Sequence, residues 1–348
     1  MTPPAHRSVA VSTTIAIAVG LLGAVSAAEA RRPGPCAAAA DGEDAPYVAI
    51  LSAFPAELAP LVTATDVQER LDIDGREYYG GRLGGVRVLL GLVGIGMVNA
   101  EQRARAVIDH VQVVAVIVSG VAGGALIGDA TIAQRWQEQD RRRVYRVNRA
   151  LVALARRAEA ARTEALQACT PVPPTDPGAP IVCLPHQPAV VFGGSGVSGD
   201  DFGGGALPCV PGGSEVFGCE LPSLPLLTTP ARGRAVSPAI TEPDVVDMET
   251  AAIARVAARR RVPFLAVRAA SDGGGDPLGD RGFPAQFFDY YRLAAANAAA
   301  VTRGVVEALG AVAGETANRG ICRLMSERRW RRAARRLGRD LPAAAERS

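Results

Sequence analysis

"VVDMETAAIARVA", Val245 to Ala257, joins an apolar Val-Val pair to an alanine-rich run through Asp-Met-Glu. The pair reads as the end of a strand, and the alanine run reads as a helix. A strand feeding directly into a helix is the unit from which α/β folds are assembled. The junction carries two carboxylates, Asp247 and Glu249, on either side of Met248. One acid at a helix start satisfies free N–H groups and complements the helix dipole. Capping leaves the second carboxylate without a purpose.

The same grammar recurs outward along the chain. "YVAILSA" from Tyr47 is a buried strand ending at Phe54-Pro55, where "PAELAPLV" starts a helix. "REYYGGRLGGVRVLLGLVG" gives two strands joined through Gly84-Gly85, a hairpin signal. "GMVNAEQRARAVIDH" places Met97, Ala100, Ala104, Val107 and Ile108 on one helical face. "VVAVIVSG" is a continuous apolar run, as expected of a central strand covered on both faces; "PAVVFGGSGVSG" and "VPFLAVRAAS" repeat it. The alternation predicts a three-layer α/β/α sandwich with a mixed central sheet over residues 47–311.

Two segments read as insertions into that core. Residues 134–188 hold a charged helix, around Arg141 to Arg162, and the proline-rich "CTPVPPTDPGAPIVC". Residues 203–243 are rich in Gly, Pro and Ser with little periodicity, and loops of such length tend to be functional or disordered. Residues 312–348 form a basic C-terminal tail, read as a solvated helix with a frayed end.

The first 30 residues have a short basic start at His6 and Arg7, an apolar stretch from Val9 to Val25, and small residues before Ala28-Glu29-Ala30. That is the three-part form of a secretory signal peptide, with cleavage expected after Ala30 and a linker over 31–46. Export, to the periplasm or outside the cell, follows as the expectation, with no stable membrane anchor after cleavage. Six cysteines agree with an oxidising compartment. Cys169/Cys183 and Cys209/Cys219 each bracket a Pro/Gly-rich loop, so local pairing is the simplest connectivity, leaving Cys36 to Cys322. No cysteine pair has metal-ligand spacing, and the histidines are His6, His110 and His186 alone, which argues against zinc and against a Ser-His-Asp triad. The net charge of +3 carries no argument for a nucleic-acid partner.

Four short stretches stand just beyond strand ends, where open α/β sheets place their ligands: "SAFPAEL", "VGIGMVNA", "SGVAGG" and "RAASDGGGDP". Each alone is weak. Glu57 could be a first-turn acid and Asp272 an N-cap, and "VGIGMVNA" has Asn99 where a dinucleotide fingerprint needs its third glycine. In this order, with "VVDMETAAIA", "VPFLAVRAASD" and "VSGDDF", they resemble the purine nucleoside phosphorylase/nucleosidase superfamily. The closest likeness is to its 5'-methylthioadenosine/S-adenosylhomocysteine nucleosidase branch. The resemblance runs from about Tyr47 to Gly310, with both insertions outside it.

The resemblance implies a small-molecule purine nucleoside as substrate, no cofactor and no metal. It makes Asp272 the acid that protonates the purine, oriented by Ser271, and Glu57 the base that activates water. Glu249 corresponds to the residue that holds the ribose hydroxyls. Met248 would pack on the sugar, Phe202 would stack on the base, and Arg268 would hold the water or balance charge. Gly94 and Ile95 of the glycine turn and Asp247 complete the expected substrate site. The branch tends to be homodimeric, a neighbouring subunit closing the 5' side of the pocket, a contact the insertions could replace.

Departures from the pattern matter. Asp247 stands where the branch has glutamate, Val93 where it has serine, and Gly203 where it has a bulkier apolar residue. Two other readings therefore stand beside hydrolysis. One is a phosphorylase, which would need arginines such as Arg76, Arg82 or Arg103 to approach the site. The other is a nucleoside-binding or storage protein without turnover.

Overall fold

The structure is a computed structural model that describes residues 45–199, 205–221 and 243–313. The expected signal peptide, Phe202, Gly203, Cys36, Cys322 and the basic tail from residue 314 lie outside the described residues.

The chain opens with β1 (Tyr47–Ser52), α1 (Pro55–Thr63), β2 (Asp66–Asp72), β3 (Glu77–Leu83), β4 (Val86–Leu92), α2 (Met97–His110) and β5 (Val113–Leu126). β1 is buried at every position and pairs in parallel with β4 on one side and β5 on the other. Val114, Ala115, Val116 and Ile117 of β5 are fully buried. Covering a Val or Ile side chain completely contributes about 1.5–3 kcal/mol each, so this strand anchors the fold. β3 and β4 form the expected hairpin through Gly84 and Gly85, both at positive φ. β2 was not legible in the sequence. It is an edge strand whose residues, charged at most positions, are all exposed or half-buried, so it lacks an apolar period.

Next come β6 (Ala130–Ile132), β7 (Arg135–Glu138), β8 (Val144–Arg146), α3 (Arg149–Ala161), the β9–β10 hairpin (Cys169–Pro171 and Ile181–Cys183), β11 (Val190–Phe192) and β12 (Ser195–Ser198). The charged helix expected from about Arg141 begins only at Arg149. Asn148 fixes that start, its side-chain oxygen accepting from Ala150 N (3.0 Å) and Leu151 N (3.3 Å). Residues just before it pair as β7–β8 instead. The segment read as an insertion from residue 134 therefore contributes to the core as far as α3: Trp136, Leu151 and Leu154 are fully buried. "PAVVFGGSGVSG", read as one strand, is two, because Gly193 and Gly194 turn the chain between β11 and β12.

β13 (Val245–Asp247), α4 (Thr250–Arg260), β14 (Phe264–Gly274) and α5 (Ala285–Ala313) complete the domain. The strands form a twelve-stranded mixed sheet ordered β2-β3-β4-β1-β5-β13-β12-β7-β8, with β14 pairing β5 and β6, and β6 pairing β11. α1 and α3 pack on α5, while α2 packs on α4. Fully buried Ala100 and Ala104 of α2, and Ala251, Ala254 and Ala257 of α4, mark the small side chains of the second pair. This is the three-layer α/β/α sandwich expected of the pattern. Cys169 pairs with Cys183 and Cys209 with Cys219, as local pairing required. No helix among the described residues is long and apolar enough to cross a membrane.

Candidate active site

The two acids of the opening stretch divide the labour. Asp247 ends β13, and both its oxygens are consumed by local structure. Oδ1 accepts from the Glu249 and Thr250 amides (3.3 Å each) and from Ser198 Oγ, and Oδ2 accepts from Thr250 Oγ1. Ser198 Oγ in turn accepts from Ala251 N at 2.8 Å. Asp247 and Ser198 thus satisfy the free donors at the start of α4 and lock β12 to β13. Glu249, at the cap position, makes no capping bond with its side chain, so its carboxylate is released from helix duty.

That carboxylate crosses to the glycine turn. Its Oε1 accepts from Gly96 N at 2.9 Å, and its Oε2 accepts from Arg268 Nη2 at 2.9 Å. Gly96 sits at φ 94°, a left-handed conformation that glycine adopts without strain, and this turns its N–H toward Glu249. Gly94 and Ile95 were the residues expected from this turn. Gly96 is the one that bonds, and its place immediately before a helix was the signal that could have found it.

Arg268, on β14, is the counter-charge to three acids. Nε donates to Asp247 Oδ2 at 2.7 Å and Nη2 to Glu249, while Nη1 lies 3.5 Å from Glu57 Oε1. The guanidinium is fully buried. Burial alone would lower its pKa, but Asp247, Glu249 and Glu57 raise it, so it stays charged. Glu57, 1% exposed, accepts from Ala53 N (2.6 Å) and Val121 N (2.7 Å). Burial pushes its carboxyl above the ordinary range against the pull of Arg268 and those amides. Burial likewise pushes Glu249 up to about 7, Arg268 opposing and Asp247 and Glu57 assisting. Gly120 on β5 makes this packing possible: a Cβ there would stand 2.3 Å from Glu57 Oε1 and 2.4 Å from Arg268 Nη1.

Asp272 belongs to another part of the site. The pairing of β14 with β5 slips between Ala270 and Asp272 and again before Gly274, and such slips re-aim side chains at strand ends. Ser271 Oγ reaches Asp272 Oδ1 at 2.9 Å and is itself buried. Burial raises the Asp272 pKa; the Ser271 hydroxyl offsets only part of that. No ion pair of Asp272 is seen among the described residues, in contrast to Glu57 and Glu249.

Glu57, Glu249, Met248, Ile95, Ser271, Asp272 and Asp247 line one cavity of about 390 Å³. Arg268 and Gly94 stand outside its lining. Much of the remaining wall is apolar, from residues not singled out in the sequence: Phe54, Val216, Phe217, Phe283, Phe287 and Phe288. Their signal was weak because Val216 and Phe217 lie in the aperiodic insertion. Arg76, Arg82 and Arg103 bond to the carbonyls of Cys219, Gly85 and Asp74 and do not line the cavity.

A model of the phosphorylase superfamily matches residues 47–307. A protein of Mycobacterium tuberculosis, described as uncharacterized, is 34% identical over 182 residues, 48% of this chain and 74% of that protein. A 5'-methylthioadenosine/S-adenosylhomocysteine nucleosidase of Geobacillus kaustophilus is 29% identical over 250 residues, 66% of this chain and 86% of that enzyme. The crystal structure of the corresponding nucleosidase of Neisseria meningitidis, in complex with methylthio-immucillin-A, matches at a TM-score of 0.52 and 24% identity, covering 76% of this chain and 99% of that one. A family match across both halves of the sheet agrees with the strand order and with the acids at its strand ends: this chain belongs to the phosphorylase superfamily.

Proposed function

We propose that the protein is an N-glycosyl hydrolase that cleaves the N-ribosidic bond of an adenine nucleoside or thionucleoside, such as methylthioadenosine or S-adenosylhomocysteine. One observation carries the reading: one cavity holds Asp272, a carboxyl with a raised pKa and no ion pair among the described residues, and two others, Glu57 and Glu249, bound around one arginine. Cleavage passes through an oxocarbenium-like sugar, so the base must leave neutral and water must arrive on the opposite face. Asp272 protonates the purine, for which a raised pKa is the requirement. Glu57 takes a proton from the attacking water, and Arg268, buried behind the wall with Nη1 3.5 Å from Glu57 Oε1, balances the negative charge of the acids. Glu249 uses one lone pair on each oxygen for Gly96 and Arg268, which leaves one on each for two ribose hydroxyls.

Phosphorolysis has less support, because the candidate arginines are engaged elsewhere and Glu57 would repel phosphate. The test is to incubate the oxidised, phosphate-free protein with methylthioadenosine, S-adenosylhomocysteine, adenosine and inosine, with and without phosphate, and to chromatograph the products. Free base with free sugar under both conditions is expected. Sugar 1-phosphate formed only with phosphate would replace the hydrolase with a phosphorylase, and binding without any base release would make the protein a nucleoside carrier. In the same assay Glu57→Gln should lower kcat by about 10²-fold with a small change in KM, as loss of a general base requires.

The protein is exported through its N-terminal signal. The two disulfides support this, since such bonds persist in oxidising compartments. N-terminal sequencing of protein recovered outside the cytoplasm should begin at Arg31. A chain retained in the cytoplasm with Met1 intact would overturn export.

A further inference from the structure

The loop closed by Cys209–Cys219, with the residues just before it, is held to the core at four points. Glu215 O accepts from Ala56 N at 2.8 Å, one residue before Glu57. The Glu215 carboxylate accepts from Tyr291 OH (2.7 Å) and from Arg292 Nε (2.9 Å), both on α5. Leu207 O accepts from Asn99 Nδ2 at 2.6 Å, three residues past Gly96, and Cys219 O accepts from Arg76 Nη1 at 3.4 Å. Within the loop, Phe217 O accepts from Val210 N at 2.8 Å, so the disulfide and a short ladder fix the same turn.

These anchors place the loop over the starts of α1 and α2, beside Glu57 and Gly96. Asp272 lies on β14, on the far side of β5 from β1. Val216 and Phe217 line the cavity from this loop and Leu207 from just before it, with Phe54 and Ile95 also in the wall. Under the assignment above, the Glu57 and Glu249 end takes the sugar, and the substituent next to the loop is the one on the 5' carbon. We infer that the Cys209–Cys219 loop is the specificity wall of the site, receiving an apolar 5' substituent of the nucleoside against Val216 and Phe217, and that the closed disulfide holds this wall in place. The inference rests on the sugar-end assignment and extends it to a segment outside the resemblance.

Two variants test it, with the disulfide pair of the other loop as control. In Cys209→Ser/Cys219→Ser, KM for methylthioadenosine should rise about tenfold or more while KM for adenosine changes far less, since a lost apolar contact discriminates by about that factor. Phe217→Ala, with both disulfides intact, should give the same bias. Cys169→Ser/Cys183→Ser should leave the ratio of the two KM values unchanged. If the first two variants keep the wild-type ratio while circular dichroism shows them folded, the wall is not there. If the Cys209 variant does not fold, Phe217→Ala decides alone. If the wild type releases no base, the hydrolase reading fails on its own, and calorimetric Kd values for the two nucleosides replace KM. The same tenfold bias in Kd upholds the wall, whereas equal losses, or no binding at all, overturn it.

Discussion

Asp272→Asn is expected to lower kcat by about 10³-fold or more while nucleoside binding changes little. Asparagine keeps the shape and the bond to Ser271 but has no acidic proton to deliver, and a well-placed general acid contributes about 10²–10⁴-fold. The upper part of that range is expected because an adenine leaving unprotonated is a poor leaving group. The pH profile gives an independent check. Under the proposed roles Asp272 works protonated, so activity should fall as pH rises through its raised pKa. Glu57 and Glu249 would work ionised, so activity should fall as pH drops, with the Glu249 step at about 7. The variant should lose the alkaline limb and keep the acid one. A stopped-assay rate within a few-fold of wild type would remove Asp272 from the mechanism.

Arg268→Met should have the largest effect on stability. It leaves Asp247, Glu249 and Glu57 buried without the guanidinium that faces all three. Breaking a buried pair by removing one partner costs about 3–5 kcal/mol. For a domain of this size that corresponds to a fall in Tm of roughly 10 °C. The deficit depends on pH with a definite sign. Without the arginine Glu57 and Glu249 bind protons more tightly, and once protonated they no longer repel one another. The gap between wild type and variant should therefore be wide at pH 8 and narrow as pH falls through 6 and 5. Arg268→Lys keeps a charge but loses the fork that reaches Asp247 and Glu249 together, and should fall between the two. Equal melting temperatures for all three proteins across that range would rule out the arginine as the organiser of these acids.

The fold was legible wherever burial imposed a period. β1, β4, β5 and β14 announced themselves as apolar runs, and the strand-to-helix junctions at Phe54-Pro55 and Asp247-Met248-Glu249 marked the site. What escaped has physical causes. β2 is a charged edge, and β7 and β8 are short strands in an arginine-rich stretch whose buried apolar residues, Trp136 and Tyr145, are too few to set a rhythm. In the site, the acids were legible because carboxylates at strand ends need a reason to be there. Their division of labour was not. That Asp247 caps while Glu249 is left for the site depends on Ser198 and Thr250 reaching the first acid, a fact of packing between two strands and a helix. Apart from Phe54, the aromatic wall was illegible because it is assembled from an aperiodic loop and from residues at and just before the start of α5.

Arg292 on α5 bonds to Glu215 in one disulfide loop and to the carbonyl of Pro174 in the other. A helix that the sandwich requires in any case therefore serves as the common mooring of both additions. The carboxylates stand where strands give way to the chain beyond, whereas both loops share a mooring on one helix face. Under the proposed roles, the chemistry and the choice of what undergoes it would be carried by separate parts of the chain, so that either could be redrawn, by selection or by design, while the other stands.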